Sequence, residues 1–196
     1  MYKISNYVII FGKTFKDEFM VWKISKSFDF CYGHRVWSQE LNPEFSLDPC
    51  LKCRHLHGHQ GKIVLYIESN KLENGMVTDF NHLNWFKAFL DDVLDHKFII
   101  DINDPLFETL LPHISKDELV EYEDGYKTPD LTKVKDEEQH ILELYESYVI
   151  VDFVPTSENL STWFLQIAQK KMAKLDVKVS SIEFQESPKS TSQVYA

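Results

Sequence analysis

The chain has 196 residues, a formal charge of −10, and apolar and aromatic shares of 43% and 14%. That length suits one domain of ordinary size with room for an insertion, and that apolar share supports a packed core, which excludes a disordered chain. The acidic balance, with no basic run and no stacking motif, excludes a nucleic-acid partner.

No segment has the apolar length of a bilayer span, so no membrane partner is expected. The opening segment MYKISNYVIIFGKTFK carries only the short apolar run YVIIF and lacks the long apolar stretch and cleavage site of a signal peptide. Three cysteines, an odd number, fit a reducing compartment better than a disulfide framework. The expectation is a soluble, cytoplasmic protein.

In chain order, residues 20–36 (MVWKISKSFDFCYGHRV) alternate, with Phe28, Phe30, Tyr32 and His34 on one face, which predicts a long strand. Residues 59–68 predict a second strand, and Asn74-Gly75 a turn. A helix is expected after Asp79, capped by Thr78 or Asp79, because Leu83, Phe86, Leu90 and Leu94 follow helical spacing. A second helix starts near PTSEN, capped by Thr156 or Ser157, with Leu160, Trp163, Phe164, Ile167 and Ala168 as its apolar stripe. Residues 177–186 predict a strand, SPKST a turn, and QVYA the end of a last strand. The order β-β-α-(insertion)-α-β-β is an α+β pattern with an antiparallel sheet. The acid-rich stretch 101–150 is about fifty residues, too long for a bare loop. It is expected to be an insertion within one domain spanning 1–196, with a helix over KVKDEEQHILELYES and a strand at YVIVDFV.

The stretch CRHLHGH at 53–59 raises the question of chemistry. In a strand, His57 and His59 lie two apart and face the same way, which makes a chelating pair. His34, at the end of the first alternating strand, is the natural third ligand from a neighbouring strand. Three neutral imidazoles leave one tetrahedral position of a zinc ion open, the pattern of catalytic sites. Two plainer readings stand beside it at this point. The histidines could be ordinary surface or core residues, or Cys53 could close a structural Cys-His₃ site. Cys50 and Cys53 also form C-x-x-C, but no second such pair exists to complete a ribbon.

Six ordered motifs carry a resemblance: FDFCYGHR, CRHLHGH, GMVTDFNHL, LDHKF, PTSEN and EFQES. With them, the chain resembles the 6-pyruvoyl-tetrahydropterin synthase / 6-carboxy-tetrahydropterin synthase family over roughly residues 20–100 and 154–196. The resemblance implies the tunnelling fold: α+β, an antiparallel four-stranded sheet with two helices on one face, oligomerising into a barrel. It implies a homohexamer built as a dimer of trimers, with sites between subunits, and open sheet edges supply a physical reason for such closure. It implies that His34, His57 and His59 hold Zn2+. It implies that Cys53 is the catalytic thiol, that Asp95 and His96 are its acid/base partner, that Glu186 anchors the pterin ring, and that Glu158 assists there. The implied substrate is 7,8-dihydroneopterin triphosphate.

This chemistry is coherent. A metal with an open position polarises hydroxyl oxygens, a thiolate near it can act as base, and a carboxylate beside an imidazole selects its tautomer. A carboxylate can also take two hydrogen bonds from the N–H edge of a 2-aminopyrimidinone. The same residues have plainer explanations. His96 could be a helix-end histidine meeting the dipole, Glu158 a first-turn acid doing the same, and Glu186 a solvated strand-end acid. Cys31 is expected in the core, Cys50 as a spectator, and His55, His82, His113 and His140 as non-ligands. Lys23, Lys26, Arg35, Lys52 and Arg54 are candidates for the triphosphate.

The spacing C-x-x-x-H-x-H resembles the 6-carboxy branch, which feeds 7-deazaguanine (preQ0, queuosine) synthesis. That branch yields 6-carboxy-5,6,7,8-tetrahydropterin with release of acetaldehyde and triphosphate. The rivals are 6-pyruvoyl-tetrahydropterin synthase, by triphosphate elimination, and a non-catalytic zinc-stabilised binding protein. The insertion at 101–150 and about twenty extra N-terminal residues depart from the family pattern.

Overall fold

The structure, a computed structural model, describes residues 20–136 and 138–196, so the apolar run at 7–11 lies outside the described residues. The first two strands are β1 (Trp22–His34) and β2 (His57–Ser69). They pair antiparallel along their whole length, from Trp22 opposite Ser69 to His34 opposite His57. Every second residue of β1 from Phe28 to His34 is buried, so the alternation read from the sequence sets the inward face.

A composite helical segment follows. It opens as a 3-10 turn (Phe80–Leu83) capped by Asp79, whose side chain accepts from Asn81 N–H. It continues as α1 (Asn84–Phe89) and closes in a π turn (Leu90–Leu94). Leu83, Phe86, Leu90 and Leu94 are all fully buried. The later helix, α4 (Ser157–Met172), is capped by Thr156, which accepts from Asn159 N–H. Phe28 meets Phe86, and Phe30 and Phe184 meet Phe164, with ring centroids 5.3–6.2 Å apart. Burying each such side chain contributes about 1.5–3 kcal/mol, and together they fix both helices on one face of the sheet.

The four-stranded antiparallel sheet is the point where the structure corrects the sequence reading. Strands β1, β2, β7 (Lys178–Ser187) and β8 (Ser190–Tyr195) do form an antiparallel unit. The observed sheet, however, is mixed and eight-stranded. The four additional strands are β3 (Lys97–Asp101), β4 (Leu119–Glu121), β5 (Lys127–Pro129) and β6 (Tyr148–Val151). The strand order is β4-β5-β6-β3-β1-β2-β7-β8. β3 pairs parallel to the end of β1, with Tyr32 opposite Lys97 and His34 opposite Ile99, and β6 pairs parallel to β3. The physical reason is visible in the segments themselves. FII and YVIV are continuous apolar runs, with Ile99, Ile100 and all of Tyr148–Val151 buried and Phe98 partly so, which is the two-sided burial that parallel strands require. The free edge of β1 gives them a ladder to join.

The rest of the stretch 101–150 forms a second apolar cluster around Ile100, Phe107, Leu111, Tyr145 and Ile150. The short helices α2 (Phe107–Leu110) and α3 (Gln139–Glu146) belong to it. The helix expected over 133–147 is shorter: α3 covers only Gln139–Glu146, and Val134 follows a separate 3-10 turn, Leu131–Lys133, in extended backbone. Val134 and Tyr145 are buried, with Ile141 and Leu142 packed against the same cluster. The β4–β5 hairpin reaches back over α4, where Trp163 Nε1–H donates to Asp124 O at 2.6 Å. Among the described residues no helix is long and apolar enough to cross a membrane.

Candidate active site

The antiparallel register puts His34 directly opposite His57 at the end of β1 and β2, with His59 two residues further along the same face. The rings converge, with centroids 4.5 Å (His34–His57), 5.1 Å (His34–His59) and 4.9 Å (His57–His59) apart. Their ligand atoms all lie within 4.8 Å of one another. Gly58, between the pair, faces Gly33 across the ladder, and a Cβ there would stand 2.8 Å from Tyr32 O. No side chain fits that approach, which answers why a glycine separates the two histidines.

The tautomers follow from the partners. His34 Nδ1 lies 2.7 Å from Pro155 O, and His57 Nδ1 lies 2.8 Å from His55 O. A carbonyl only accepts, so both Nδ1 atoms carry the hydrogen and both Nε2 atoms present a lone pair. The Nε2 atoms of His34 and His59 are buried and have no hydrogen-bond partner. Burial pulls the His34 pKa down to about 4, helped by the two neighbouring imidazoles and opposed by the Pro155 carbonyl. Burial also lowers that of His59, against the raising effect of Glu186. Convergent imidazoles, two of them with buried Nε2 atoms that are unpartnered among the described residues, form a set that could hold a metal ion.

Glu186, at the end of β7, also lies here. Its Oε1 is 3.6 Å from His34 Nε2 and 3.9 Å from His59 Nε2. Cys53 sits in a short 3-10 turn, Lys52–Arg54, half-buried and with a free thiol. Its N–H donates to Gln39 Oε1 at 3.0 Å and its carbonyl accepts from Val36 N–H at 2.7 Å. Those bonds tie it to the chain just beyond His34, yet it does not join the histidine cluster. The arrangement therefore does not support Cys53 as a fourth ligand of a closed structural site.

Asp95 and His96 form a pair of their own. Asp95 Oδ2 accepts from His96 Nδ1 at 2.9 Å, and Asp95 Oδ1 accepts from Cys31 N–H at 2.7 Å. The Cys31 N–H, then His96, holds the Asp95 carboxyl below its usual range. His96 takes a left-handed backbone (φ 60°), and its N–H donates to Cys31 O at 2.7 Å. Its ring is exposed, and among the described residues neither it nor Asp95 makes a hydrogen bond or ion pair to Cys53 or to the histidine trio. Glu158 lies exposed in the first turn of α4, where its carboxylate accepts from Ser157 Oγ.

Several expectations change here. Cys31, expected in the core, is exposed on the face of β1 opposite Phe30 and Tyr32. The alternation already implied this, because odd positions of β1 face away from the helices. Arg35 is buried (7% exposed) and paired with the buried Asp104 at 3.3 Å, so it is not free to meet a triphosphate. Lys23 and Lys26 lie towards the opposite end of β1, where they hold Glu68 and the Phe80–Asn84 turn. Sequence reasoning missed Pro155, Asp104 and Tyr32 as neighbours of the site. Tyr32 Oη is buried without a partner, and its ring lies 5.1 Å from that of His34 and 5.8 Å from that of His59. The parity of Tyr32 with His34 was the available signal. Nothing in the sequence pairs residue 104 with residue 35.

Comparison with known proteins places this geometry in context. The chain is 33% identical over 160 residues to 6-carboxy-5,6,7,8-tetrahydropterin synthase of Aquifex aeolicus, covering 78% of this chain and 82% of that protein. A protein named putative 6-carboxy-5,6,7,8-tetrahydropterin synthase in Pyrococcus abyssi is 30% identical over 131 residues, 65% of this chain and 68% of that one. Among solved structures, an uncharacterized protein from Wolinella succinogenes superposes with a TM-score of 0.88 at 62% identity, over 90% of this chain and 98% of that chain. The 6-pyruvoyl tetrahydropterin synthase of Plasmodium vivax shares the fold, with a TM-score of 0.53 at 15% identity over 90% and 98% of the two chains. The family model described as 6-pyruvoyl tetrahydropterin synthase matches residues 23–196, and the chain belongs to that family.

Proposed function

We propose that the protein is a zinc-dependent 6-carboxy-5,6,7,8-tetrahydropterin synthase, converting 7,8-dihydroneopterin triphosphate with release of acetaldehyde and triphosphate. Its product would enter 7-deazaguanine (preQ0, queuosine) synthesis. The observation that carries this reading is the convergence of three imidazoles, His34, His57 and His59, whose ligand atoms lie within 4.8 Å of one another. The names of the curated relatives favour the 6-carboxy branch.

His34, His57 and His59 would hold the metal through Nε2, the first two with tautomers set by Pro155 O and His55 O. When bound, zinc supplies a Lewis acid that acidifies carbon-bound protons next to the substrate's side-chain hydroxyls. Cys53, as thiolate, is the base for such a proton. Asp95 holds His96 in one tautomer and stabilises its charged form, so that His96 relays the proton. Glu186 takes the N–H edge of the pterin ring, with Glu158 assisting at the rim. Because Asp95 and His96 make no bond to Cys53 among the described residues of one chain, the reading requires a second copy to complete the site. This agrees with the homohexameric, barrel-forming assembly expected of the chain as one domain over 1–196 with an insertion at 101–150. The remaining cations near the thiol, Lys52 and Arg54, are the candidates for the triphosphate.

The second reading is 6-pyruvoyl-tetrahydropterin synthase, favoured by the description of the matching family model. Incubating purified, zinc-quantified protein with 7,8-dihydroneopterin triphosphate and reading products by mass spectrometry separates the two. 6-Carboxy-5,6,7,8-tetrahydropterin with acetaldehyde is the expected result. A 6-pyruvoyl product moves the protein to the sister activity, and no turnover by zinc-loaded protein overturns both.

A further inference from the structure

We propose that Glu186 is an exchangeable fourth ligand of the metal, bound to it at rest and released when a pterin ring takes the carboxylate. The inference rests on the proposed function for the metal and for the identity of the ring, while the place of the carboxylate stands on geometry.

Glu186 Oε1 is 3.6 Å from His34 Nε2 and 3.9 Å from His59 Nε2. Those separations exceed a hydrogen bond, which for nitrogen and oxygen runs to about 3.2 Å. They approach the spacing of two ligands on one ion: tetrahedral zinc bonds of about 2.0–2.1 Å put neighbouring donor atoms about 3.3–3.4 Å apart. Both Nε2 atoms are buried and, among the described residues, unpartnered, so the carboxylate faces the ring nitrogens that a metal would use. It stands beside two of the three imidazoles but outside the group that all three form, so ligation draws its side chain inwards towards His57.

The backbone around Glu186 allows it to leave. The β2–β7 ladder ends at Lys62 opposite Gln185, one residue short of Glu186. On the other side, the β7–β8 register shifts between Gln185 and Ser187, so Glu186 sits at the irregularity itself. Such bulges re-aim a side chain beside a site, and here the residue is held by less ladder than its neighbours. Its side chain is 23% exposed, which leaves it within reach of an incoming ring.

The consequence is a site that becomes competent only with the ring seated. At rest a carboxylate offsets part of the metal's charge and fills its open position. A 2-aminopyrimidinone edge offers that carboxylate two N–H donors, and its departure opens the position for the substrate's hydroxyls. Binding of the ring and exposure of the metal are then linked, and each favours the other.

The test uses the full chain loaded with Co2+ or Zn2+, without turnover. Cobalt absorption spectra and zinc affinity, by competition with a chromogenic chelator, are compared for the wild type and Glu186→Gln. Neopterin, which lacks the triphosphate, serves as the ring probe. The expected results are a changed cobalt spectrum, a zinc Kd weakened by about tenfold or more in Glu186→Gln, and a wild-type spectrum that moves towards that of the variant on adding neopterin. The neopterin titration needs no variant, so a folding defect in Glu186→Gln would not decide the matter. Identical spectra and affinities overturn resting ligation. A neopterin-insensitive wild-type spectrum overturns exchange. Either failure leaves the product assay of the proposed function untouched, whereas wild-type protein that retains no metal overturns both.

Discussion

His34 is fully buried at the end of β1, and burial holds its pKa near 4, against about 6.5 in an open chain. Between those values the unfolded chain binds a proton that the folded one refuses, so stability rises with pH. In metal-stripped protein the contribution, about 3 kcal/mol, is fully present above pH 6.5 and is lost as pH falls towards 4. Urea unfolding of the apo protein at pH 7.5, 5.5 and 4.5 should give a declining midpoint, and a flat profile would refute the assignment. Cys53 makes the opposite kind of claim, about chemistry without stability. It is half-buried, tied down through its backbone, and outside the cluster of ligand atoms. Cys53→Ala is expected to fold, to retain its zinc, and to lose activity by a hundredfold or more, on the order of a missing general base. Loss of metal together with a lower melting temperature would instead make the thiol a structural ligand.

At the scale of elements, the site is a product of strand ends. β1 and β2 bring His34, His57 and His59 together through register, and Gly58 permits the close ladder that keeps them there. β3 adds a support that only the extended sheet creates. The turn after β3 carries Asp104 (3% exposed) against Arg35 (7% exposed), the residue that follows His34. Trp37 Nε1–H donates to Asp101 Oδ2 at 2.9 Å from the same side. Removing one partner of a buried pair strands the other charge, so Asp104→Ala should cost about 3–5 kcal/mol. Chemical denaturation of Asp104→Ala, Arg35→Met and the double variant checks this. The double variant should recover much of the loss, and a near-neutral Asp104→Ala would show that the segment after β3 does not brace the site. The two main helical segments start where the sequence predicts, because capping and apolar spacing are local signals. Asp79 and Thr156 each satisfy an early N–H of their own helix.

For the whole molecule, the informative feature is a separation. Cys53 belongs to the β1–β2 connection, while Asp95 and His96 are fastened to Cys31 beside β3, with no bond between the two groups among the described residues. The sheet ends in β4 on one side and β8 on the other, and an exposed edge such as β8 invites pairing with another copy. If copies complete each other's sites, co-refolded mixtures of inactive Cys53→Ala and His96→Asn chains should regain activity that neither has alone. Asn tolerates the left-handed backbone at position 96, so the second variant keeps its fold. Size-exclusion chromatography should show assemblies larger than a monomer. A monomer with full activity, or mixtures without recovery, would place the whole site in one chain.

By itself, the sequence determined the local facts: which faces of β1 and β2 turn inward, where the two main helices start, and that His34, His57 and His59 share an orientation. Each follows from a period of two, a period of 3.6 or a capping side chain, within reach of a few residues. Only the tertiary structure decided how far the sheet extends and what surrounds the histidines. β3 and β6 join the edge of β1 by parallel pairing, whose register depends on residues far apart in the chain. Pro155 fixes the His34 tautomer from 121 residues away, and Asp104 meets Arg35 through the same long-range closure. Glu186 was legible as a strand-end acid, but its place against two imidazoles depends on where β7 loses its ladder beside β2, which no local pattern encodes.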